Sequence, residues 1–181
     1  MPEGNAKHIA LTAYDLENGG ISRVAVYLAN GFADAGHKVT LLLCTSAGER
    51  DADLRALLRP DVSCEALSRR HYLSRALGQI ACLPAFRRWL RKQRPDIVMG
   101  TANNIAWFSG VGLLGSVAPE SQLYAKTTNP IIREKDGALI TGLRRWGYNY
   151  LFARTEKVLT LSSAESRILQ LEFPRNANVF E

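Results

Sequence analysis

Apolar residues along this chain alternate between two rhythms, short unbroken runs and stripes at three- and four-residue spacing. Residues 7–13 (Lys-His-Ile-Ala-Leu-Thr-Ala) and 39–44 (Val-Thr-Leu-Leu-Leu-Cys) are runs of the first kind, the pattern of strands covered on both faces. Between them Ile21, Val24, Ala25, Leu28, Ala29 and Phe32 mark one side of a helix, and Gly36 stands where a left-handed C-terminal cap belongs. The opening is therefore a strand, a glycine-containing loop, a helix and a second strand.

The same rhythms continue to the end. A polar helical stretch at 49–58 leads to a weaker strand at 62–67, and Leu73, Ala76, Leu77, Ile80, Leu83, Phe86 and Leu90 recur at helical spacing through 72–93. Pro84 removes a backbone donor in the middle of that stretch and predicts two helical pieces. A short strand at 97–100, a helix at 105–114, a strand at 122–126, a helix at 138–153 and a strand at 157–161 follow. Ser162 and Glu165 have the spacing of a capping box opening a helix to Glu172, and 178–181 reads as the first residues of another strand. Strands alternating with helices predict an α/β fold, a Rossmann-like parallel sheet with helices on both faces joined by right-handed crossovers. The expected organisation is one domain over 1–175, with 176–181 starting a crossover towards a further domain.

Composition narrows the class. The chain has 181 residues and 46% hydrophobic content, enough for one domain with a proper core. No apolar run approaches the roughly 20 residues of a membrane span, and 1–5 lack the pattern of a signal peptide. Cys44, Cys64 and Cys82 show no C-x-x-C spacing, so they read as buried reduced thiols and the expected location is the cytoplasm, with peripheral contact at the inner face of the membrane. Net charge is +6, with much of the excess between Arg69 and Arg94. Within that segment Arg87, Arg88, Trp89, Arg91 and Lys92 interleave cations with an aromatic ring and are candidates for an anionic membrane surface; an ordinary solvated helix face is the other reading. No nucleic-acid recognition motif accompanies the charge.

Ligands of open α/β sheets bind beyond the carboxyl ends of the strands, so the loops of interest are 14–22, 45–48, 100–104, 127–136 and 162–163. In the first, Asn18-Gly19-Gly20-Ile21-Ser22 joins two glycines to a helix start. Such backbone approaches a phosphate closely and offers unpaired N–H groups, although Gly19 and Gly20 also suit a plain tight turn with a positive φ. It is not G-x-G-x-x-G, and strand two ends Leu43-Cys44-Thr45-Ser46 without an acid for a ribose hydroxyl, which argues against a dinucleotide dehydrogenase. The absence of G-x-x-x-x-G-K-[ST] excludes a P-loop nucleotidase. No Ser-His-Asp set, paired carboxylates or metal-ligand cluster emerges.

The succession N-G-G-I-S-R-V, L-A-N-G-F-A-D-A-G-H-K-V-T-L-L, R-P-D-I-V after a basic helix, and E-K-V-L-T-L-S-S-A-E-S resembles the N-terminal, acceptor-side domain of a GT-B glycosyltransferase of the GT4 type, over nearly the whole chain. The resemblance implies a retaining transferase that moves a sugar from a nucleotide-sugar donor, a UDP- or GDP-sugar, to a saccharide or lipid-linked acceptor. It implies no metal or cofactor besides that donor, and a C-terminal donor domain in cis or in trans without which this chain is inactive. Gly19, Gly20, Ile21 and Ser22 then form the donor-phosphate loop. Many relatives carry a histidine after strand four or five, whereas those loops here hold Asn103, Asn104, Lys126, Thr127, Thr128 and Asn129, which become acceptor-binding candidates, with no catalytic side chain assigned. A non-catalytic α/β binding or partner module, such as one subunit of a split transferase, is the alternative.

Overall fold

A computed structural model describes residues 6–17, 19–46, 51–115, 117–132 and 136–181, with the side chains of 51–52 also set aside. Asn18 of the glycine loop, 1–5, 47–50 at the start of the polar helical stretch, and 133–135 in the fifth-strand loop lie outside the described residues.

Six parallel strands form one sheet: β1 (His8–Ala13), β2 (Lys38–Leu43), β3 (Ser63–Ala66), β4 (Ile97–Gly100), β5 (Gln122–Lys126) and β6 (Thr155–Leu159). Their order is β3-β2-β1-β4-β5-β6, so the predicted α/β Rossmann-like class is observed. The helices are α1 (Gly20–Asp34), α2 (Asp51–Arg55), α3 (Arg75–Gln93), α4 (Asn103–Leu113), α5 (Ala138–Phe152) and α6 (Ser163–Glu172). Alternation along β1 and β2 sends Ile9, Leu11, Ala13, Val39, Leu41 and Leu43 into one core with α1, and Ala10 and Leu42 into another with Phe86, Leu90, Ile105 and Phe108 of α3 and α4. A third cluster joins Leu123, Ala125 and Val158 to Tyr148, Leu151 and Phe152 of α5 and to Leu169 of α6. Helices α3, α4, α5 and α6 thus share one side of the sheet.

Local signals work as physics requires. Gly36 adopts φ 86° after α1, with His37 N–H donating back to Phe32 O at 3.1 Å. Ser162 Oγ accepts from Glu165 N–H at 3.2 Å, while the Glu165 carboxylate takes the Leu161 N–H at 2.6 Å.

Four expectations of local structure and burial are corrected. Helix α3 is continuous through Pro84, because the ring lies on the exposed side and the carbonyl of Ile80 that it leaves unpaired is on the same side, while Cys82, Phe86 and Leu90 pack both halves against the sheet. Strand β6 begins two residues early, at Thr155, whose hydroxyl donates to Leu151 O at 2.9 Å and ties the end of α5 to the strand. Residues Pro174–Val179 form a 3₁₀ turn, and pairing beside β6 starts only at Phe180, which bridges Val158. Asn176, buried and bonded to Asn149 Oδ1 at 3.0 Å, holds that turn on α5. The cysteines are free thiols; Cys44 and Cys82 are buried, but Cys64 is half-buried.

Where β4 passes into α4 the chain doubles back so tightly that a Cβ on Gly100 would lie 2.5 Å from Ala106 Cα and 2.6 Å from Ala106 N. Backbone cannot step aside as a flexible side chain can. Gly100→Ala should therefore cost about 1–3 kcal/mol or more, read as a lowered denaturant midpoint; an unchanged midpoint would show that the two segments are not pressed together.

Candidate functional site

The sheet changes winding direction at β1, which pairs with β2 on one side and β4 on the other. Loops leaving the carboxyl ends of β1 and β4 diverge there, and a hollow opens between them. Its inner part, about 220 Å³, is lined by Tyr14, Asp15, Gly19, Gly20, Ile21, Ser22, Thr101 and Asn104 among others. It continues through Ile21, Arg75 and Asn104 into an outer cleft of about 590 Å³ lined also by Gln79, Asn103, Trp107, Thr128, Asn129 and Tyr148.

At the inner end stands the first turn of α1. Gly19 is its N-cap, in extended conformation with φ −155°, and has no side chain to accept from the first-turn N–H groups. Positive φ values occur only at Gly36, Gly115 and Arg94 among the described residues, so the glycines of this loop are not required by a left-handed turn. Nor are they required by crowding: a Cβ on Gly20 would meet nothing within 4 Å, and one on Gly19 only Glu17 O at 3.7 Å. Space in front of Gly20 belongs to the hollow.

Asp15 and Arg75 sit across that hollow. The Asp15 carboxylate is nearly buried; its Oδ1 accepts from Glu17 N–H at 3.3 Å and its Oδ2 lies 3.8 Å from the Arg75 guanidinium. Ser22 Oγ donates to Asp15 O at 3.2 Å, tying the start of α1 to the end of β1. The Arg75 guanidinium lies 5.5 Å from the Tyr14 ring centroid. One cation and one helix N-terminus thus face the same space.

The outer cleft is shaped by a clamp. Asn103, in the first turn of α4, donates from Nδ2 to Asn129 O at 2.8 Å and accepts at Oδ1 from Thr128 N–H at 2.9 Å, so both ends of its amide hold the loop after β5. Asp136, almost buried, grips Arg144 Nε at 2.7 Å and fixes that arginine in the wall. Gln79 Nε2 is buried and has no hydrogen-bond partner among the described residues, an arrangement that costs about 1–3 kcal/mol until a ligand or water supplies an acceptor.

Sequence candidates divide clearly. Gly19, Gly20, Ile21 and Ser22 line the inner hollow, and Asn103, Asn104, Thr128 and Asn129 the outer cleft. Thr127 is buried, its hydroxyl donating to Leu159 O at 3.4 Å, and Lys126 is half-buried with its Nζ turned to Thr127 O at 3.2 Å. Burial pushes the Lys126 ammonium below its usual pKa, partly opposed by Glu165. Of the basic helix, Arg87 donates to Leu114 O at 2.8 Å and Trp89 to Glu65 Oε2 at 2.8 Å, both inward, while Arg88, Arg91 and Lys92 are exposed. Sequence reasoning missed Asp15, Arg75, Gln79, Trp107, Arg144 and Tyr148 as wall residues. An acid directly after β1 was a usable signal; the others reach the cleft only through packing.

Residues 19–180 match the family described as the glycosyl transferase 4-like domain. The chain belongs to that family. The crystal structure of Anabaena Alr3699/HepE in complex with UDP and glucose is similar in fold, with a TM-score of 0.65 at 13% identity over 97% of this chain and 43% of that one. This chain therefore spans less than half the length of that relative. No curated protein matches it. The GT4-type resemblance drawn from the sequence holds at the level of family and fold.

If Asn103 is the clamp, Asn103→Ala should cost about 1–3 kcal/mol, two hydrogen bonds at about 0.5–1.5 each. It should also speed amide exchange at Thr128. Unchanged exchange there would show that the loop stands without it.

Proposed function

We propose that this GT4-like domain supplies the acceptor side of a retaining transfer of a sugar from a nucleotide sugar, such as a UDP- or GDP-sugar, to a saccharide or lipid-linked acceptor, with a donor domain supplied in cis or in trans. One observation carries this: an anion-favouring helix N-terminus and a polar cleft are continuous through Ile21, Arg75 and Asn104. Group transfer from a nucleotide sugar needs both, side by side. The structural relative crystallised with UDP and glucose supports a donor of this kind.

In that reading the first-turn N–H groups of α1 and the Arg75 guanidinium face the diphosphate, where negative charge grows as the glycosidic bond to the donor breaks. Donors fixed before the reaction cost no reorganisation when the charge develops, and removing one of them typically costs about 10²–10³ in rate. Asn104, Thr128, Asn129 and the unpartnered Gln79 amide offer hydrogen bonds to acceptor hydroxyls, while Trp107 and Tyr148 present apolar ring surface of the sort that packs on a sugar. Asp15 acts as a positioning residue for Arg75.

Two substitutions separate ligand contact from folding. Since a Cβ on Gly20 meets no protein atom, Gly20→Ala should leave the melting temperature within a few degrees while lowering turnover about 10²–10³-fold in an active assembly containing the donor domain; near-normal turnover removes the phosphate assignment. Gln79→Met deletes an orphaned donor at nearly constant volume, so stability should hold or rise. The acceptor KM should increase, and an unchanged KM would place the acceptor elsewhere. For the isolated chain, one wall of a cleft should bind UDP or GDP sugars only at about millimolar strength, and calorimetry showing micromolar binding would contradict the need for a second wall.

A further inference from the structure

Two arginines line the outer cleft, and the transferase reading uses only one of them. Arg75 stands at the junction with the inner hollow, toward the donor phosphates, whereas Arg144 stands on the α5 wall. No aspartate or glutamate lines the outer cleft among the described residues. Asp136 approaches Arg144 Nε at 2.7 Å, with 10% of its own side chain exposed against 31% of the arginine's. The acid is withdrawn, and the arginine reaches past it. Its two terminal nitrogens make no hydrogen bond among the described residues. Neighbouring Arg145 lies on the exposed side of α5, where it opposes the rise that burial gives the Glu172 pKa.

An aromatic wall adjoins this cation. Residues three and four positions apart share a side of a helix, so Arg144, Gly147 and Tyr148 face the cleft together. Gly147 lets the Trp107 ring lie against α5, because a Cβ there would meet Trp107 Cζ2 at 3.0 Å and Cη2 at 3.3 Å. The Trp107 ring in turn meets Tyr148 edge-on, with centroids 5.8 Å apart. An aromatic surface thus stands one helical turn from a guanidinium, and the amides of Gln79, Asn104 and Asn129 line the same space of about 590 Å³. That volume is in the range that encloses a ligand larger than a single small ion.

We infer that the acceptor is an acidic saccharide, whose ring packs on Trp107 and whose carboxylate or phosphate substituent is held by Arg144. Resting on the transferase reading, this narrows the acceptor to one chemical class. A guanidinium engaged at Nε keeps its two terminal nitrogens for a second partner, and that planar fork matches the oxygens of a carboxylate or a phosphate. A neutral sugar over the same arginine would displace water from a cation and return only a neutral acceptor. An anion returns a charge-assisted bond, which is about twice as strong. Free phosphate would leave the tryptophan face unused, and a neutral glycan would leave the arginine fork unmatched. Ring and charge in one molecule satisfy both. The donor diphosphate does not account for Arg144, since α1 and Arg75 meet it at the inner end.

Heteronuclear NMR titration of the 181-residue chain with methyl glucoside, methyl glucuronide, glucose phosphate and inorganic phosphate tests this without a donor domain or any assay of transfer. At least one of the two acidic sugars should bind about tenfold more tightly than the glucoside, with shifts at the Trp107 indole and the Gly147 amide. Whichever binds more tightly identifies the acidic group. In Arg144→Gln that advantage should vanish while glucoside binding stays as in the parent. The pair Asp136→Asn with Arg144→Gln, which leaves no carboxylate without its cation, should do the same with native melting, and Arg145→Gln should behave as the parent. Equal affinity for neutral and acidic sugars, or an advantage that survives in the folded pair, overturns this inference and leaves the acceptor reading standing. Shifts confined to the first turn of α1 overturn it as well, as does inorganic phosphate that binds as tightly as the acidic sugars. If none of the sugars binds, the acceptor reading falls together with it.

Discussion

Strand β1 sits at the point where the sheet reverses its winding, and the rest of the site depends on how it is held there. Both of its faces are buried, and its hydrogen-bond ladders run to β2 over six residues and to β4 over four. A buried hydroxyl set seals the β1–β4 seam: Thr12 Oγ1 donates to Met99 O at 3.1 Å and lies 2.7 Å from Ser109 Oγ, and Thr101 Oγ1 donates to Thr12 O at 2.9 Å. Such groups are costly to bury unless satisfied, so each fixes the register of the next. Helix α4 is thereby anchored to β1, and the loops beyond both strands part over a fixed floor.

From that floor the site takes its polarity. The N-terminus of α1 brings partial positive charge without a side chain, Arg75 brings a full charge from the far end of the β3–β4 crossover, and Asp15 limits where that charge can sit. Outward from them the cleft becomes neutral and hydrogen-bonding, with the Asn103 clamp and the Asp136–Arg144 pair keeping its wall in place. The floor therefore favours an anion and the mouth offers hydrogen bonds to hydroxyl groups.

Charge is also unevenly distributed among the helices. Helices α3, α4 and α5 carry only cations, while α1 and α6 carry both signs. One consequence of parallel α/β architecture is that a whole helical layer faces one way, so bias within a few helices becomes the property of a surface. Here that surface also exposes Trp146, Leu139 and Leu143, and the cleft opens at its edge.

Much was legible in the linear chain. Short apolar segments marked five of the six strands closely, the stripe from Ile21 to Phe32 marked α1, and Gly36 and Ser162 marked helix ends, because each of these signals acts over a few residues. Pro84 misled since its effect depends on which side of a helix meets solvent, and Phe180 pairs with β6 only after a turn that Asn176 pins to α5. Order and spacing of short motifs established the family. Tertiary structure alone decided which residues meet: Arg75 and Asp15 are sixty positions apart, Asn103 of α4 holds Asn129 of the loop after β5, and Thr127, itself a candidate, is buried away from the others. Local periodicity determines an element and its inner face, but the walls of a cleft at a switch point come from loops that the sheet order brings together, and nothing in the spacing of residues along the chain encodes that order directly.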